Sequence, residues 1–215
     1  MLNIIYEDAA IIVCEKPAGV ATQTKRIGEK DMESMLRNYR VQKGEPSYIG
    51  VVHRLDQPVS GVMVFAKTKD AAADLSRQMA EKSASKFYYA VTDGIPEPRK
   101  GVLEDYLLRD GKNNLSKVVS SDTKDAKLAK LYYEVLKTSE NRALIMVELF
   151  TGRHHQIRVQ MANAGWPLVG DRKYNPNENL RRGSENVSLF SYRLSFVHPM
   201  TKMPTEYRLG NQLVL

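Results

Sequence analysis

The chain has 215 residues, of which 42% are hydrophobic and 27% are charged, and its 32 Lys and Arg residues outnumber its 25 Asp and Glu residues. This length suits one folded domain over residues 1–215, and no stretch approaches the roughly 20 apolar residues of a membrane-spanning helix. The formal net charge of +7 and the isoelectric point near 9.4 favour a polyanionic partner such as nucleic acid, although many basic proteins bind none.

The first eight residues lack the basic start, the apolar run and the small-residue cleavage site of a signal peptide. The single cysteine, Cys14, lies in an apolar run and is predicted to be a buried thiol. One cysteine cannot close an internal disulfide, which favours a reducing compartment. We therefore expect a cytoplasmic protein that makes no contact with a membrane.

Short runs rich in Val, Ile, Tyr and Phe, bordered by Gly, Pro and Asn, recur along the chain and predict strands. The predicted strands span residues 3–6, 11–15, 62–67, 87–91, 102–108, 131–136, 143–150, 187–194 and 205–209. Apolar residues at helical spacing predict helices over 32–39, 70–82 and about 154–164. Strands and helices do not alternate as in a parallel doubly wound fold, so we predict an α+β fold with a mixed, mostly antiparallel sheet.

Two polar stretches, residues 110–127 and 174–188, are predicted to form long loops or hairpin tips that could grip a partner. Several basic residues fall near turns, Gly or Pro, where phosphates could approach, although ordinary solvated loops explain them equally well. These residues are Lys16, Lys25, Arg26, Lys67, Lys69, Arg181 and Arg182.

Two distant segments combine charged and hydrogen-bonding groups with glycine: residues 53–61 (HRLDQPVSG) and residues 152–158 (GRHHQIR). Asp56 lies in a loop that feeds a strand, and a turn-capping role is the simpler alternative for it. Arg158 lies one helical turn after His154 and is expected to border the buried side, with a surface arginine as the alternative. Pairing with Arg158 would keep an Asp56 carboxylate ionised despite burial.

Tyr88 lies in a predicted strand whose alternation places it on the same face as Lys86. It is either a core tyrosine or a ring that stacks on a nucleobase, with a hydroxyl that could handle a proton. The histidines have neither a cysteine partner nor the spacing of a zinc motif, and the adjacent His154 and His155 are expected to point apart on a helix. We therefore expect no bound metal.

Four ordered motifs resemble those of the RluA-type pseudouridine synthases. They are His53-Arg54-Leu55-Asp56-x-x-x-Ser60-Gly61, Lys86-x-Tyr88-x-Ala90, Thr151-Gly152-Arg153-x-His155-Gln156-Ile157-Arg158-Val159 and Gly165-x-Pro167-Leu168-x-Gly170-Asp171-x-x-Tyr174. The stretch from Glu7-Asp8 to Lys16-Pro17-Ala18-Gly19 is also similar to the start of that family. The resemblance implies an enzyme that isomerises uridine to pseudouridine in RNA without a metal or organic cofactor. It also implies a long, bent, mixed sheet with helices around it and the active cleft across its middle.

The resemblance further implies roles for individual residues. Asp56 matches the catalytic aspartate, Tyr88 the tyrosine that packs on the target base, and Arg158 the basic residue that pairs with the aspartate. Arg54 matches the arginine that enters the RNA stack as the target nucleotide flips out. The remaining predicted RNA-binding residues are His53, Arg153, His155 and Lys86.

The chain departs from the family pattern at Val59, His154 and Gln160, which lie beside motif residues rather than at the presumed catalytic ones. The small N-terminal RNA-binding domain of many relatives is expected to be absent, as in the shorter members that modify transfer RNA, ribosomal RNA or both. A monomer with RNA as its partner is the default expectation. The alternatives are a non-catalytic RNA-binding protein on the same scaffold, and a hydrolase with Asp56 as general base, which would need a second carboxylate or a metal.

Overall fold

The computed structural model describes residues 2–24, 28–179, 186–210, 213 and 215. These residues form eleven strands, three α-helices and one short 3-10 helix. The strands are β1 (Asn3–Glu7), β2 (Ile11–Lys16), β3 (Gly50–Val51), β4 (Ser60–Ala66), β5 (Ser85–Asp93), β6 (Lys100–Asp110), β7 (Leu115–Val119), β8 (Lys127–Ser139), β9 (Arg142–Leu149), β10 (Leu189–Val197) and β11 (Pro204–Arg208). The helices are α1 (Met32–Gln42), α2 (Lys69–Glu81), α3 (Gln156–Asn163) and the 3-10 helix Pro176–Asn179.

The chain divides into two compact units. Unit 1 comprises Met1–Ser85 and Ser191–Gly210, and unit 2 comprises Lys86–Phe190 and Asn211–Leu215. The single domain expected from the length of the chain stays a prediction.

Unit 1 is built on β1, β2, β4 and β10 in that order, with β3 paired to β4 and β11 paired to β10. The apolar runs 11–14 and 62–65 are buried throughout, as expected for strands covered on both faces. Ala71 and Leu75 of α2 pack against this sheet and join Val13 in one apolar core.

Both long helices of unit 1 begin at a side chain that satisfies a free backbone N–H group. Asp31 Oδ1 accepts a hydrogen bond from Ser34 N at 2.7 Å, and Ser34 Oγ accepts one from Asp31 N at 3.1 Å, which forms a capping box before α1. Thr68 Oγ1 accepts from Ala71 N at 3.1 Å and caps α2. These caps fix where the two helices start relative to the strands before them.

Unit 2 contains an antiparallel sheet in the order β5–β9–β8–β6–β7. Alternate residues of β8 from Ala129 to Val135 are buried, as the period of two in a strand requires. The helix α3 packs on this sheet through Val159, which contacts a small core formed with Leu107 and Ala129. This packing brings the start of α3 close to the β6–β7 hairpin.

The predicted α+β class with a mostly antiparallel sheet is confirmed, and every predicted strand is present within a few residues of its expected bounds. The strands β3 and β7 were not predicted. β7 lies inside the stretch 110–127 and pairs with β6. Residues 111–114 therefore form a hairpin tip, one of the two forms predicted, whereas residues 115–119 form a strand that was not predicted. The other predicted loop, 174–188, contains the 3-10 helix, and its residues 180–185 lie outside the described residues.

Cys14 is fully buried, and burial raises the pKa of its thiol to about 12, which confirms the predicted buried thiol. Lys67 was expected to face approaching phosphates, but it is buried and its ammonium contacts Glu7 at 2.7 Å and Glu45 at 2.9 Å. Lys69 is exposed. The predicted phosphate-facing residues Lys25, Arg26, Arg181 and Arg182 lie outside the described residues. Within the described part of the chain, no helix combines the length and the apolarity needed to cross a membrane.

Candidate active site

Asp56 lies in unit 1, in the loop between β3 and β4, where a loop feeding a strand was predicted. Asp56 is half-buried, and its backbone carbonyl oxygen accepts a hydrogen bond from Val59 N at 3.0 Å, which closes a turn. After the turn, Gly61 adopts a φ of 129°, and a Cβ there would lie 2.2 Å from the carbonyl oxygen of Ser191. Only glycine fits this position, so the loop has a fixed exit into β4.

The residue before Asp56 is held by a threonine from a distant part of the chain. The Thr22 hydroxyl donates to the carbonyl oxygen of Leu55 at 3.0 Å and accepts from its N–H group at 3.2 Å. Thr22 and Leu55 are 3% and 7% exposed, so both contacts are shielded from water. Thr22 was not predicted as part of the site, because it lies outside every motif.

The residue after Asp56 is also held. The carbonyl oxygen of Gln57 accepts from Gly19 N at 2.9 Å, and the Gln57 side-chain amide donates to the carbonyl oxygen of Gly19 at 3.0 Å. Asp56 is therefore presented from a loop that is fixed on both sides.

Lys16 contacts this loop and is fully buried, so the prediction that it faces approaching phosphates was wrong. Its ammonium donates to the carbonyl oxygens of Pro17 at 3.0 Å, Val20 at 2.6 Å and Gln57 at 3.0 Å. Burial lowers the pKa of Lys16 to about 8, and the negative charge of Asp56 opposes this decrease. Lys16 thus holds the Asp56 loop through the carbonyl oxygen of Gln57, and its positive charge attracts the Asp56 carboxylate.

The two residues predicted to contact RNA before Asp56 differ in their surroundings. His53 is half-buried, and its Nε2 accepts a hydrogen bond from Val64 N at 3.1 Å, so one side of the ring serves the fold. Arg54 is exposed. Contact of either residue with RNA stays a prediction.

In unit 2, Tyr88 and Lys86 lie on β5, paired with β9. Tyr88 is buried, with 6% of its surface exposed, and Lys86 is half-buried. The Lys86 ammonium lies 3.2 Å from the position that a Cβ on Gly152 would occupy, and burial lowers its pKa. The structure therefore brings the second and third motifs together, and Gly152 leaves room for the Lys86 ammonium.

The segment before α3 is attached to β8 by Gln156. Its Oε1 accepts from the Thr151 hydroxyl at 2.8 Å and from Arg153 N at 2.9 Å, and its Nε2 donates to the carbonyl oxygen of Lys130 at 3.1 Å. Arg153 Nε donates to the carbonyl oxygen of Leu128 at 2.9 Å. The guanidinium of Arg153 is thus partly used by the fold, and its predicted contact with RNA stays a prediction.

The helix α3 begins two residues later than predicted, because His155 precedes it in the left-handed conformation with a φ of 54°. His154 therefore shares no helical face with Arg158. The prediction that the two histidine rings point apart was also wrong, since they stack with centroids 3.8 Å apart.

Each histidine is held by a different partner. The ring of His154 contacts Ser116 Oγ at 2.9 Å and Asn114 Oδ1 at 3.0 Å, which ties it to the β6–β7 hairpin. The Tyr174 hydroxyl accepts from Ser116 N at 2.7 Å and lies 2.8 Å from His155 Nδ1. Burial lowers the pKa of His155 to about 2, with a further decrease from nearby cations, so its ring is neutral.

Arg158 was expected to border the buried side of its helix; it is itself buried and forms a two-point contact with Asp171. Its Nε lies 2.7 Å from Asp171 Oδ2, and its Nη2 lies 2.8 Å from Asp171 Oδ1. The guanidinium also lies over the Tyr174 ring, 5.3 Å from its centroid. Asp171 and Tyr174 stood in the fourth motif, but no role was predicted for them. The pairing of Arg158 with Asp56, which belongs to unit 1, stays a prediction.

The described residues contain no group of three or more His, Cys, Asp and Glu side chains arranged to hold a metal ion. The expectation of a reaction without metal or organic cofactor stays a prediction.

The RNA pseudouridylate synthase family matches residues 10–163, which is well over half of the chain. The chain belongs to the RNA pseudouridylate synthase family. It is 36% identical over 199 residues to the dual-specificity RNA pseudouridine synthase RluA of Escherichia coli K12, covering 92% of this chain and 88% of that protein. It is 34% identical over 203 residues to the RNA pseudouridine synthase YhcT of Bacillus subtilis, covering 93% of this chain and 65% of that protein.

Solved structures agree with this membership at the level of the fold. The human RNA pseudouridylate synthase domain containing 1 aligns with a TM-score of 0.82 at 22% identity, covering all of this chain and 85% of that chain. The human RNA pseudouridylate synthase domain containing 4 aligns with a TM-score of 0.79 at 22% identity, covering 97% of this chain and 88% of that chain. The predicted RluA-type resemblance and the predicted enzyme class, an RNA pseudouridine synthase, are confirmed by the sequence relatives.

Proposed function

We propose that this synthase converts specific uridines of transfer RNA, ribosomal RNA or both to pseudouridine, with Asp56 as the catalytic carboxylate. The observation that carries the proposal is the family match, which includes the segment in which Asp56 stands between two anchored residues. A carboxylate on a fixed loop can be held in one orientation toward a reacting sugar or base.

The proposed reaction is an isomerisation of the target nucleotide. The bond from ribose C1′ to uracil N1 breaks, the base rotates, and a bond from C1′ to C5 forms while C5 loses its proton and N1 gains one. No atom is gained or lost overall, so no co-reactant is required. A carboxylate can assist as a nucleophile or as a base that removes a proton, and the proposal covers both routes.

The base must leave the RNA stack before Asp56 can act. Flipping costs a few kcal/mol, which phosphate contacts from a basic surface and an inserted side chain offset. The proposal assigns the inserted side chain to Arg54, which is exposed and lies two residues before Asp56. His53, Lys86, Arg153 and His155 are proposed to contact the RNA around the target nucleotide.

We propose, from the resemblance, that the Tyr88 ring packs on the detached base. We also propose that Arg158 pairs with the catalytic aspartate. Tyr88 has only 6% of its surface exposed, so a small part of the side chain is available to a base in this conformation. For Arg158 the proposal adds that the contact with Asp171 holds the guanidinium in one orientation.

Two relatives guide the choice of substrate. The Escherichia coli relative is named a dual-specificity RNA pseudouridine synthase. A ribosomal large subunit pseudouridine synthase D of Neisseria meningitidis is 36% identical over 210 residues, covering 92% of this chain and 55% of that protein. The second name supports ribosomal RNA as a substrate, and the resemblance to the shorter family members supports transfer RNA, so we propose both pools for the test. A cytoplasmic location and a monomeric state remain predictions from the sequence.

The test is release of tritium from RNA labelled at C5 of uridine, because that label is lost only when the new bond forms at C5. The wild-type protein is compared with Asp56→Asn, which keeps the shape of the side chain, and with Asp70→Asn, a matched change at an exposed aspartate of unit 1. We expect release by the wild type and Asp70→Asn and none by Asp56→Asn, while all three bind RNA equally.

Other outcomes would assign another function. RNA binding without release from either pool would contradict the proposal and favour a non-catalytic RNA-binding protein. Liberation of free uracil with the label retained would identify a hydrolase. Equal release by Asp56→Asn and the wild type would keep the activity but remove Asp56 from it.

A further inference from the structure

Thr22 connects helix α1 to the loop that carries Asp56. Its own carbonyl oxygen accepts a hydrogen bond from Glu33 N at 3.2 Å, and the carbonyl oxygen of Ala21 accepts one from Met32 N at 3.0 Å. Both donors lie in the first turn of α1, whose free N–H groups need acceptors. The backbone at Thr22 is therefore fixed by the start of a capped helix.

The side chain of Thr22 links this fixed backbone to Leu55 by hydrogen bonds. One hydroxyl satisfies both backbone groups of that residue, at 3.0 Å to its oxygen and 3.2 Å to its nitrogen. The oxygen belongs to the peptide group that joins Leu55 to Asp56. The orientation of this peptide group therefore sets the position of the Asp56 backbone nitrogen and Cα. A hydroxyl can serve as donor and acceptor at once, which no apolar side chain of the same shape can do.

We propose that Thr22 is a positioning residue for Asp56: its hydroxyl sets the orientation of the Leu55–Asp56 peptide group and thereby of the catalytic carboxylate. This inference rests on the proposed role of Asp56. Without the hydroxyl, the loop keeps its contacts at Gln57 but loses those at Leu55, so the carboxylate samples more orientations. The chemical step slows, while binding of RNA does not change.

The experiment compares two substitutions at one position. Thr22→Val keeps the shape but removes the hydroxyl, and Thr22→Ser keeps the hydroxyl but removes the methyl group. Thr205→Val is the matched control, because the Thr205 hydroxyl donates to the carbonyl oxygen of Phe196 at 3.0 Å elsewhere in unit 1. For each variant, tritium release gives kcat and KM, and thermal unfolding gives Tm.

We expect Thr22→Val to lower kcat about 10- to 100-fold with KM unchanged, since a small misplacement of a catalytic group has effects of that size. Thr22→Ser should restore kcat, and Thr205→Val should leave kcat unchanged even if both valine variants lower Tm. A Thr22→Val variant with wild-type kcat, or a Thr22→Ser variant as slow as Thr22→Val, would overturn the inference. Absence of tritium release from the wild-type protein would instead contradict the proposed function itself.

Discussion

The guanidinium of Arg158 and the carboxylate of Asp171 form a buried two-point contact, with both N–O distances between 2.7 and 2.8 Å. Arg158 is 3% exposed and Asp171 is 0% exposed. The acceptor Oδ1 also lies 3.1 Å from Lys173 N, which donates to it. Asp171 therefore neutralises a buried cation and organises the turn in which it stands.

Removing the charge of Asp171 should destabilise the fold. Asp171→Asn removes the negative charge that Asp171 places against the buried Arg158 guanidinium, and breaking a buried ion pair in this way costs about 3 kcal/mol or more. Urea unfolding measures the difference. The control is Glu81→Gln, which breaks an exposed contact with Arg77 and should leave the unfolding midpoint unchanged. Equal midpoints for Asp171→Asn and the wild type would show that this ion pair adds nothing to stability.

Replacing Arg158 by lysine should lower activity. Lysine keeps the positive charge but cannot form two parallel contacts with one carboxylate. A lost hydrogen bond to a charged group is worth about 1.5–3 kcal/mol, which corresponds to a decrease in kcat of about 10-fold or more if it acts on the transition state. Tritium release at saturating RNA measures this decrease. Undiminished activity of Arg158→Lys would rule out the need for a planar, always-charged group.

The sequence predicted the elements of this fold well because burial follows their period. The Val, Ile, Tyr and Phe content of β2, β4 and β8 indicated strands, and α3 ends within one residue of the predicted position 164, just before Gly165 with a φ of 91°. The start of α3 was predicted too early because His155 adopts a left-handed conformation that non-glycine residues rarely take. No periodicity signals such a residue.

The contacts that build the candidate site were harder to predict. Asp171 and Arg158 are 13 residues apart, and Thr22 and Leu55 are 33 residues apart. Periodicity shows which residues are buried but not which distant groups meet there. The motif around Gly170 and Asp171 did contain a signal, since a buried arginine requires a carboxylate and Asp171 is the acidic residue of that motif.

His155 should make the protein less stable in mild acid. Its pKa in the folded protein is about 2, mainly because of burial, against an ordinary value of 6.5. The unfolded chain therefore binds a proton that the folded chain does not, and stability is lost as the pH falls below about 6.5. His155→Gln should flatten this loss, which urea unfolding over a pH series measures. Parallel pH profiles for the variant and the wild type would contradict the neutral, buried ring.

Glu7 should add to the loss of stability in the lower part of this pH range. Burial alone would raise its pKa, but hydrogen bonds from Lys67 at 2.7 Å, Lys43 at 3.0 Å and Tyr39 at 2.8 Å outweigh this effect and lower the pKa of Glu7 to about 2. A carboxylate with a lowered pKa contributes stability above its ordinary value of 4.5, and this contribution is lost as the pH falls toward 2.

The variant Glu7→Gln cannot ionise, so its stability should be lower than that of the wild type at neutral pH and should change less between about pH 4.5 and pH 2. The same urea series serves as the measurement, and the two variants differ between about pH 6.5 and pH 4.5, where only His155→Gln should change the slope, whereas both variants should change it below about pH 4.5. A Glu7→Gln profile that matches the wild type below about pH 4.5 would show that the lysine contacts do not hold the carboxylate ionised.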